Sequence, residues 1–152
     1  MQTKPLHFKV KPYEKLTRDE LYELLQLRAE VFVVEQDCVY QDVDGKDDLA
    51  LHVLGYKDNV LVAYTRIFPP GSYFEYASIG RVVVRASERQ HKYGYDLMNV
   101  SIEAVETAYK TTTIKISAQT YLKSFYNRLG FKEVGEGYLE DGIPHIGMIR
   151  TA

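Results

Sequence analysis

Apolar positions near the start of the chain repeat every three to four residues. Leu21, Leu24, Leu25, Val31 and Phe32, with Arg28 among them, fall on one helical face. Thr17 and Glu20 stand just ahead in the Thr-x-x-Glu spacing of a capping box, which satisfies two backbone donors at a helix start. The spacing predicts a helix from the Thr17 cap through Phe32. From Val34 to Ala50 the period is lost, and Asp42, Asp44, Asp47 and Asp48 gather around Gly45. This stretch reads as a loop with room for one short helix.

Strand-like runs follow. His52–Tyr56 and Val60–Phe68 are joined at Asp58-Asn59, residue types that tolerate the positive φ of a tight hairpin. Pro69-Pro70-Gly71-Ser72 is a turn. Ser78–Val84 is the strongest strand, and its Val82-Val83-Val84 run predicts burial on both faces. Helical spacing resumes at Ser87 or soon after and continues through Leu97, Met98, Ile102 and Val105. Thr113–Ala118 reads as a strand. Leu122–Leu129 reads as a helix with Gly130 at its C-terminal cap, and Phe131–Val134 and Ile146–Arg150 as closing strands.

The central order is strand, helix, strand, helix. A crossover helix between neighbouring strands favours a parallel pair with a right-handed connection. Ligands of such units bind beyond the carboxyl ends of the strands. The Arg85–Tyr95 loop and the Gln119–Tyr126 segment are therefore expected to face one crevice.

Composition bounds this picture. A chain of 152 residues, 45% hydrophobic and 26% charged, has apolar material for one core, so one domain over 1–152 is expected. A net charge of −2 supplies no basic field to draw the chain to nucleic acid or a membrane surface. No apolar run approaches the ~20 residues of a membrane span, and Met1–Lys11 lacks the apolar stretch of a signal peptide. Cys38 is the only cysteine, which excludes an intrachain disulfide and fits a reducing cytoplasm. The histidines show no metal-ligand spacing, so no metal is expected.

Two segments carry candidate chemistry. Arg89-Gln90-His91-Lys92-Tyr93-Gly94 joins a strand to a helix N-terminus, where unpaired N–H groups and the helix dipole suit a pyrophosphate. Gly94 would admit the ligand close to the backbone, and Arg89 and Lys92 add positive charge. A solvated basic loop is an equally good reading of this segment alone. The second segment is Ser124-Phe125-Tyr126-Asn127-Arg128-Leu129-Gly130-Phe131. Tyr126 leaves the Phe125/Leu129 face and points toward the inferred crevice. A tyrosine of pKa about 10 can move a proton toward a departing thiolate, whose acid has a pKa of about 8.5. With 13 tyrosines in the chain, a packing role is the alternative.

Strand, Arg-x-x-x-x-Gly loop, helix, strand and Phe-Tyr-x-x-x-Gly-Phe in this order resemble the GNAT acetyltransferase superfamily, from about Leu21 to Arg150. The closer resemblance is to its ElaA-like branch. It is carried by Leu27-Arg28-x-x-Val31-Phe32-Val33-Val34-Glu35-Gln36, Tyr40-Gln41-Asp42-x-Asp44-Gly45, Gly80-Arg81-Val82 and Glu140-Asp141-Gly142-Ile143-Pro144-His145-Ile146-Gly147-Met148. The resemblance implies a mixed α/β fold: a mostly antiparallel sheet with one splayed parallel pair at its centre. It implies acetyl-CoA as donor, with backbone groups of Val82 and Val84 pairing the pantetheine arm like an added strand. Backbone amides from Gln90 through His91, Lys92, Tyr93 and Gly94 to Tyr95 would cradle the pyrophosphate. Gln119 would lie near the pantetheine, and Tyr126 takes the general-acid position. One departure is plain: Lys92 stands where the superfamily loop has its first Gly, a substitution compatible with the turn if that position keeps φ below zero.

On the acceptor side the resemblance retains Arg28, Glu35, Asp42, Asp44, Arg81, Glu140, Asp141 and His145. An alkylammonium of pKa about 10.4 must lose a proton before it attacks, and Glu35 and His145 are the candidate bases. Glu35 alternatively only holds its loop. Arg81, inside an apolar strand, needs an acidic partner such as Glu35 or Asp44 unless it faces the cleft. The acidic segments favour a cationic acceptor, a small amine or a protein amine. A homodimer is compatible with the sequence. Two rival readings remain: an acyl-CoA-binding sensor without turnover, and an interaction module on the same fold.

Overall fold

The Thr17 capping box opens α1, Arg18–Arg28, in the computed structural model, which describes residues 4–151. Of the opening Met1–Lys11 stretch, residues 1–3 thus lie outside the described residues. Glu20 N–H donates to Thr17 Oγ1 at 3.0 Å, and Thr17 N–H donates to Glu20 Oε1 at 2.8 Å. Lys9 and Lys11 of strand β1, His7–Pro12, also hold this buried carboxylate. Burial opposes its ionisation, but the Lys11 and Thr17 hydrogen bonds outweigh that and lower its pKa to about 2.

The helix does not continue regularly to Phe32. It widens into a π-helical segment, Ala29–Glu35, in which Gln36 N–H donates to Val31 O and Cys38 N–H to Val33 O, both at 3.1 Å. Such widened turns recur at functional sites.

Six further strands complete one sheet: β2 Leu51–Lys57, β3 Val60–Phe68, β4 Ala77–Val84, β5 Ile114–Gln119, β6 Lys132–Glu140 and β7 Ile143–Arg150. Their order is β1-β2-β3-β4-β5-β7-β6, and the β4–β5 contact is the parallel one. Asp58 and Asn59 both take positive φ, 51° and 67°, as a two-residue hairpin turn between strands of right-handed twist demands. Asp141 and Gly142 repeat this at the β6–β7 turn, with φ 51° and 79°. That Asp-Gly pair lengthens both closing strands toward each other beyond the spans predicted from their apolar ends.

Helix α2, Tyr93–Tyr109, covers one face of the sheet. Its Leu97, Met98, Ile102 and Val105 pack on Ile79, Ile114, Ile116 and Met148. Leu97 is fully buried, so Leu97→Ala would cost about 2–5 kcal/mol. The other face of β2–β4 takes Leu24, Leu27 and Val31 against Leu54, Tyr64 and Val83. Helix α2 starts later than its spacing predicts, because Ala86–His91 is a 3₁₀ helix that ends in left-handed Lys92. Helix α3 is only Lys123–Asn127, after a 3₁₀ turn at Thr120–Leu122. Gly130, at φ 93°, closes it: Gly130 N–H donates to Asn127 O and Phe131 N–H to Tyr126 O, the paired bonds of a Schellman motif.

β4 and β5 pair only at Ala77–Ile114 and Ser78–Lys115. Beyond them the two strands part. A bulge bends β4 there: its pairing with β3 steps from Arg66–Gly80 to Tyr64–Val83, leaving Arg81 and Val82 opposite Thr65 alone. Arg81 takes φ 50° at this point. The expected burial of Val82-Val83-Val84 on both faces holds for Val83 alone. Val82 and Val84 are half-buried, because among the described residues no neighbouring strand covers the opened wedge.

Candidate active site

The wedge between β4 and β5 is a cleft of about 560 Å³. Both segments singled out in the sequence border it: Arg89, Lys92, Gly94 and Tyr95 on one side, Gln119 and Tyr126 on the other. Val82 and Val84 line the β4 wall. Gly80, which entered the sequence pattern only beside Arg81 and Val82, lines it too, and a Cβ there would meet nothing within 4 Å.

At the α2 end, the helix start borders the wedge through Lys92, Gly94 and Tyr95, with no side chain capping it among the described residues. Lys92 holds the turn at φ 61°, so the condition of a φ below zero is not met and the turn forms nonetheless. The turn forms with a lysine in the left-handed region, at a cost of about 1–2 kcal/mol relative to an unstrained residue. Gly94 differs from expectation as well. The space its missing Cβ leaves is taken by the Phe125 ring, 3.2 Å from where that carbon would stand. Gln90, His91 and Tyr93 do not line the cleft; Tyr93 is buried and its hydroxyl donates to Lys4 O at 2.6 Å.

Tyr126 is only 5% exposed, wedged between the Phe125 and Phe131 rings at 5.0 and 6.0 Å. Its hydroxyl makes no hydrogen bond among the described residues, and the residue borders the cleft. Burial, with nearby Tyr121 adding to it, pushes its pKa above the usual phenol value. The group stays protonated and available as a donor.

His145, from β7, is buried on the cleft wall. Its Nδ1 lies 2.7 Å from Ile143 O, a carbonyl that can only accept, so Nδ1 carries the proton. In the neutral ring Nε2 then offers a lone pair, 3.4 Å from Glu140 Oε2. Glu35 is engaged elsewhere: both carboxylate oxygens accept from Arg89, one of them at 2.8 Å from Nη2.

The acidic loop does not line an open cation site. Arg28 is 0% exposed; Nε donates to Asp42 Oδ2 at 2.9 Å and Nη1 to Asp47 Oδ1 at 2.7 Å. Arg66 bonds Asp44 at 2.6 Å and Asp47 at 3.0 Å, and Arg81 Nε lies 2.8 Å from Asp42 Oδ1. Three arginines thus neutralise three aspartates. Arg28 and Asp44, expected at the acceptor, lie outside the cleft lining in this network, whereas Arg81 borders the cleft from it. Arg81 finds Asp44 and Asp42 as its partners, and Glu35 goes to Arg89 instead. Gln36, Cys38, Tyr40, Phe74 and Ser117 also line the cleft, without having been singled out by any local spacing.

A bulged β4 parted from a parallel β5, with an uncapped helix start facing an unpartnered tyrosine, defines a class of acyl-transfer fold. Residues 14–152 match the family model described as Acetyltransferase (GNAT) domain, and the chain belongs to this family. Within it the ElaA-like branch is the one that fits. Protein ElaA of Escherichia coli K12 is 46% identical over 141 residues, 91% of this chain and 92% of ElaA. The crystal structure of E. coli ElaA superposes with a TM-score of 0.88 at 42% identity, covering 95% of this chain and 99% of that one. An acyl-CoA N-acyltransferase from Pseudomonas aeruginosa superposes at 0.90 with 44% identity, covering 96% and 100%.

Proposed function

We propose that the chain is an acetyl-CoA-dependent N-acetyltransferase that delivers the acetyl group directly to an amine. The observation that carries this reading is the Tyr126 hydroxyl, protonated and unpartnered, in the same cleft as the uncapped start of α2. The residues fit such a donor. The Gly94 amide with Lys92 suits the pyrophosphate, and among the described residues the β4 edge beyond Ser78 has no strand on its β5 side to compete with a pantetheine arm.

In this mechanism the amine nitrogen attacks the thioester carbonyl, the C–S bond breaks, and the thiolate leaves toward Tyr126. The surplus amine proton goes to His145 Nε2, and Glu140 stabilises the imidazolium that results. His145 is preferred to Glu35 because the Ile143 carbonyl holds its ring on the cleft wall and leaves Nε2 to accept. The raised Tyr126 pKa favours a hydrogen bond to the developing thiolate over full proton transfer. Cys38 borders the cleft, but among the described residues no base contacts its sulfur, so no acetyl-enzyme is invoked.

Calorimetry with acetyl-CoA and a thiol-release assay over a panel of amines test the reading. Binding with acceptor-dependent CoA release supports it. Binding without release for any amine would favour a sensor, and no binding an interaction module.

A further inference from the structure

From the last residue of the π-helical segment toward the arginine–aspartate network, residues 35–38 cross the cleft, and Glu35, Gln36 and Cys38 line it. Three of the four reach three different walls. Glu35 grips Arg89, beside the donor loop. Gln36 Oε1 accepts from Gln119 Nε2 at 3.4 Å, at the end of β5. Cys38 Sγ donates to Asp141 O at 3.3 Å, on the β6–β7 turn. The crossing is fixed firmly on both sides, by buried Val31 before it and by Asp42 on Arg28 after it. Its own fastenings are light: a half-exposed ion pair, a long amide bond and a thiol.

We propose that residues 35–38 are a strap over the cleft and that Glu35–Arg89 is its latch, opened by the donor. The inference rests on the reading that the donor's pyrophosphate uses the Arg89–Gly94 loop. All three nitrogen positions of Arg89 are engaged, both Nη on Glu35 and Nε on Val84 O at 2.9 Å. An arriving pyrophosphate therefore competes with the Glu35 carboxylate for the same guanidinium. Winning it releases the strap and opens the path for the acceptor. Glu35 is on this view a positioning residue, acting through Arg89.

Cys38 makes the strap measurable, since it is the only thiol of the chain. Iodoacetamide labelling of Cys38 is followed by intact mass, without donor, for wild type, Glu35→Gln and Arg89→Gln. Acetyl-CoA affinity is measured in parallel. Both substitutions unlatch the strap, so both speed labelling by about two- to fivefold, the range an exposed ion pair supports. On the donor they act oppositely: Glu35→Gln binds acetyl-CoA about two- to fivefold more tightly, and Arg89→Gln more weakly. In wild type, raising salt from about 50 to 500 mM screens the latch and speeds labelling, an arm that needs no variant to fold. Labelling unchanged by salt, or equal in Glu35→Gln and wild type while acetyl-CoA binds, overturns the strap. Glu35→Gln affinity at or below wild type overturns the latch. Absence of acetyl-CoA binding to wild type overturns the functional reading and the donor's part in the latch, while the labelling still decides the strap.

Discussion

The Phe125 ring fills the space that a β-carbon on Gly94 would need, 3.2 Å from that carbon's position. The glycine brings the start of α2 against α3 and so sets the width of the cleft between the donor loop and Tyr126. Gly94→Ala forces the ring to give way, as overpacking does, at a cost of about 1–3 kcal/mol. Denaturant unfolding should show this loss, and calorimetry a weaker acetyl-CoA affinity. Adding Phe125→Leu to Gly94→Ala should recover most of the stability. Failure to recover it would separate the glycine from the ring.

Gly80 gives the converse case. A Cβ there points into open space on the β4 wall, and φ is not in the left-handed region. Gly80→Leu should therefore leave the unfolding free energy within about 0.5 kcal/mol of wild type, as for a change at an open surface. Its side chain occupies the cleft, so acetyl-CoA affinity should fall at least tenfold. A stable variant with normal affinity would move the donor's path off this wall.

Acid should weaken the protein in two stages. His52 is buried, with Nε2 2.8 Å from Asp47 O and Nδ1 2.5 Å from the Tyr64 hydroxyl. Burial lowers its pKa, so the folded ring stays neutral while the unfolded one takes a proton. That contribution to stability is complete above the unfolded value of about 6.5 and is lost as pH falls through the folded value. For Asp47, burial opposes ionisation but Arg28 and Arg66 outweigh it and depress the pKa. Asp44 is depressed likewise, burial again being outweighed, by Arg66 above all. Their contribution is complete above about pH 4 and is lost below it. Unfolding free energies at pH 7.5, 5.5 and 3.5 should fall in both intervals, and His52→Gln should flatten the first only. At neutral pH, Arg28→Met leaves buried aspartates short of a partner and should cost about 3–5 kcal/mol.

The elements that the sequence made legible are those specified locally. Thr17 and Glu20 announce α1, Asp58-Asn59 the first hairpin and Gly130 the end of α3, because each acts on backbone within a few residues. The opposite holds for Arg28. Its helical spacing is that of a core position, and its conversion to an ion-pair centre depends on Asp42 and Asp47, 14 and 19 residues away. The bulge at Arg81 has no side-chain signature, yet it parts β4 from β5 and creates the cleft. Of the site, the loop before α2 and Tyr126 were legible from their motifs. Cys38, Gln36 and Ser117 were not, since only the fold of distant segments brings them to the cleft.

Tyr126 should act on the transition state rather than on donor binding. Its ring is held by Phe125 and Phe131, while its hydroxyl has no protein partner to lose among the described residues. Tyr126→Phe therefore keeps the packing and should leave the unfolding midpoint and acetyl-CoA affinity nearly unchanged. The hydroxyl matters when charge develops on the departing sulfur. A hydrogen bond to a charged group contributes about 1.5–3 kcal/mol, so kcat should fall about 10- to 10²-fold. A full general acid would cost more, ~10²–10⁴-fold, and the raised pKa argues for the smaller loss. The measurement is single-turnover acetyl transfer to the best amine of the panel, which isolates the chemical step from product release. If the Phe variant transfers acetyl at the wild-type rate, Tyr126 is a packing residue and solvent protonates the thiolate. If it loses both rate and donor affinity in proportion, the hydroxyl serves binding, and the stabilisation of the leaving sulfur must be sought at Gln119 or the β4 backbone.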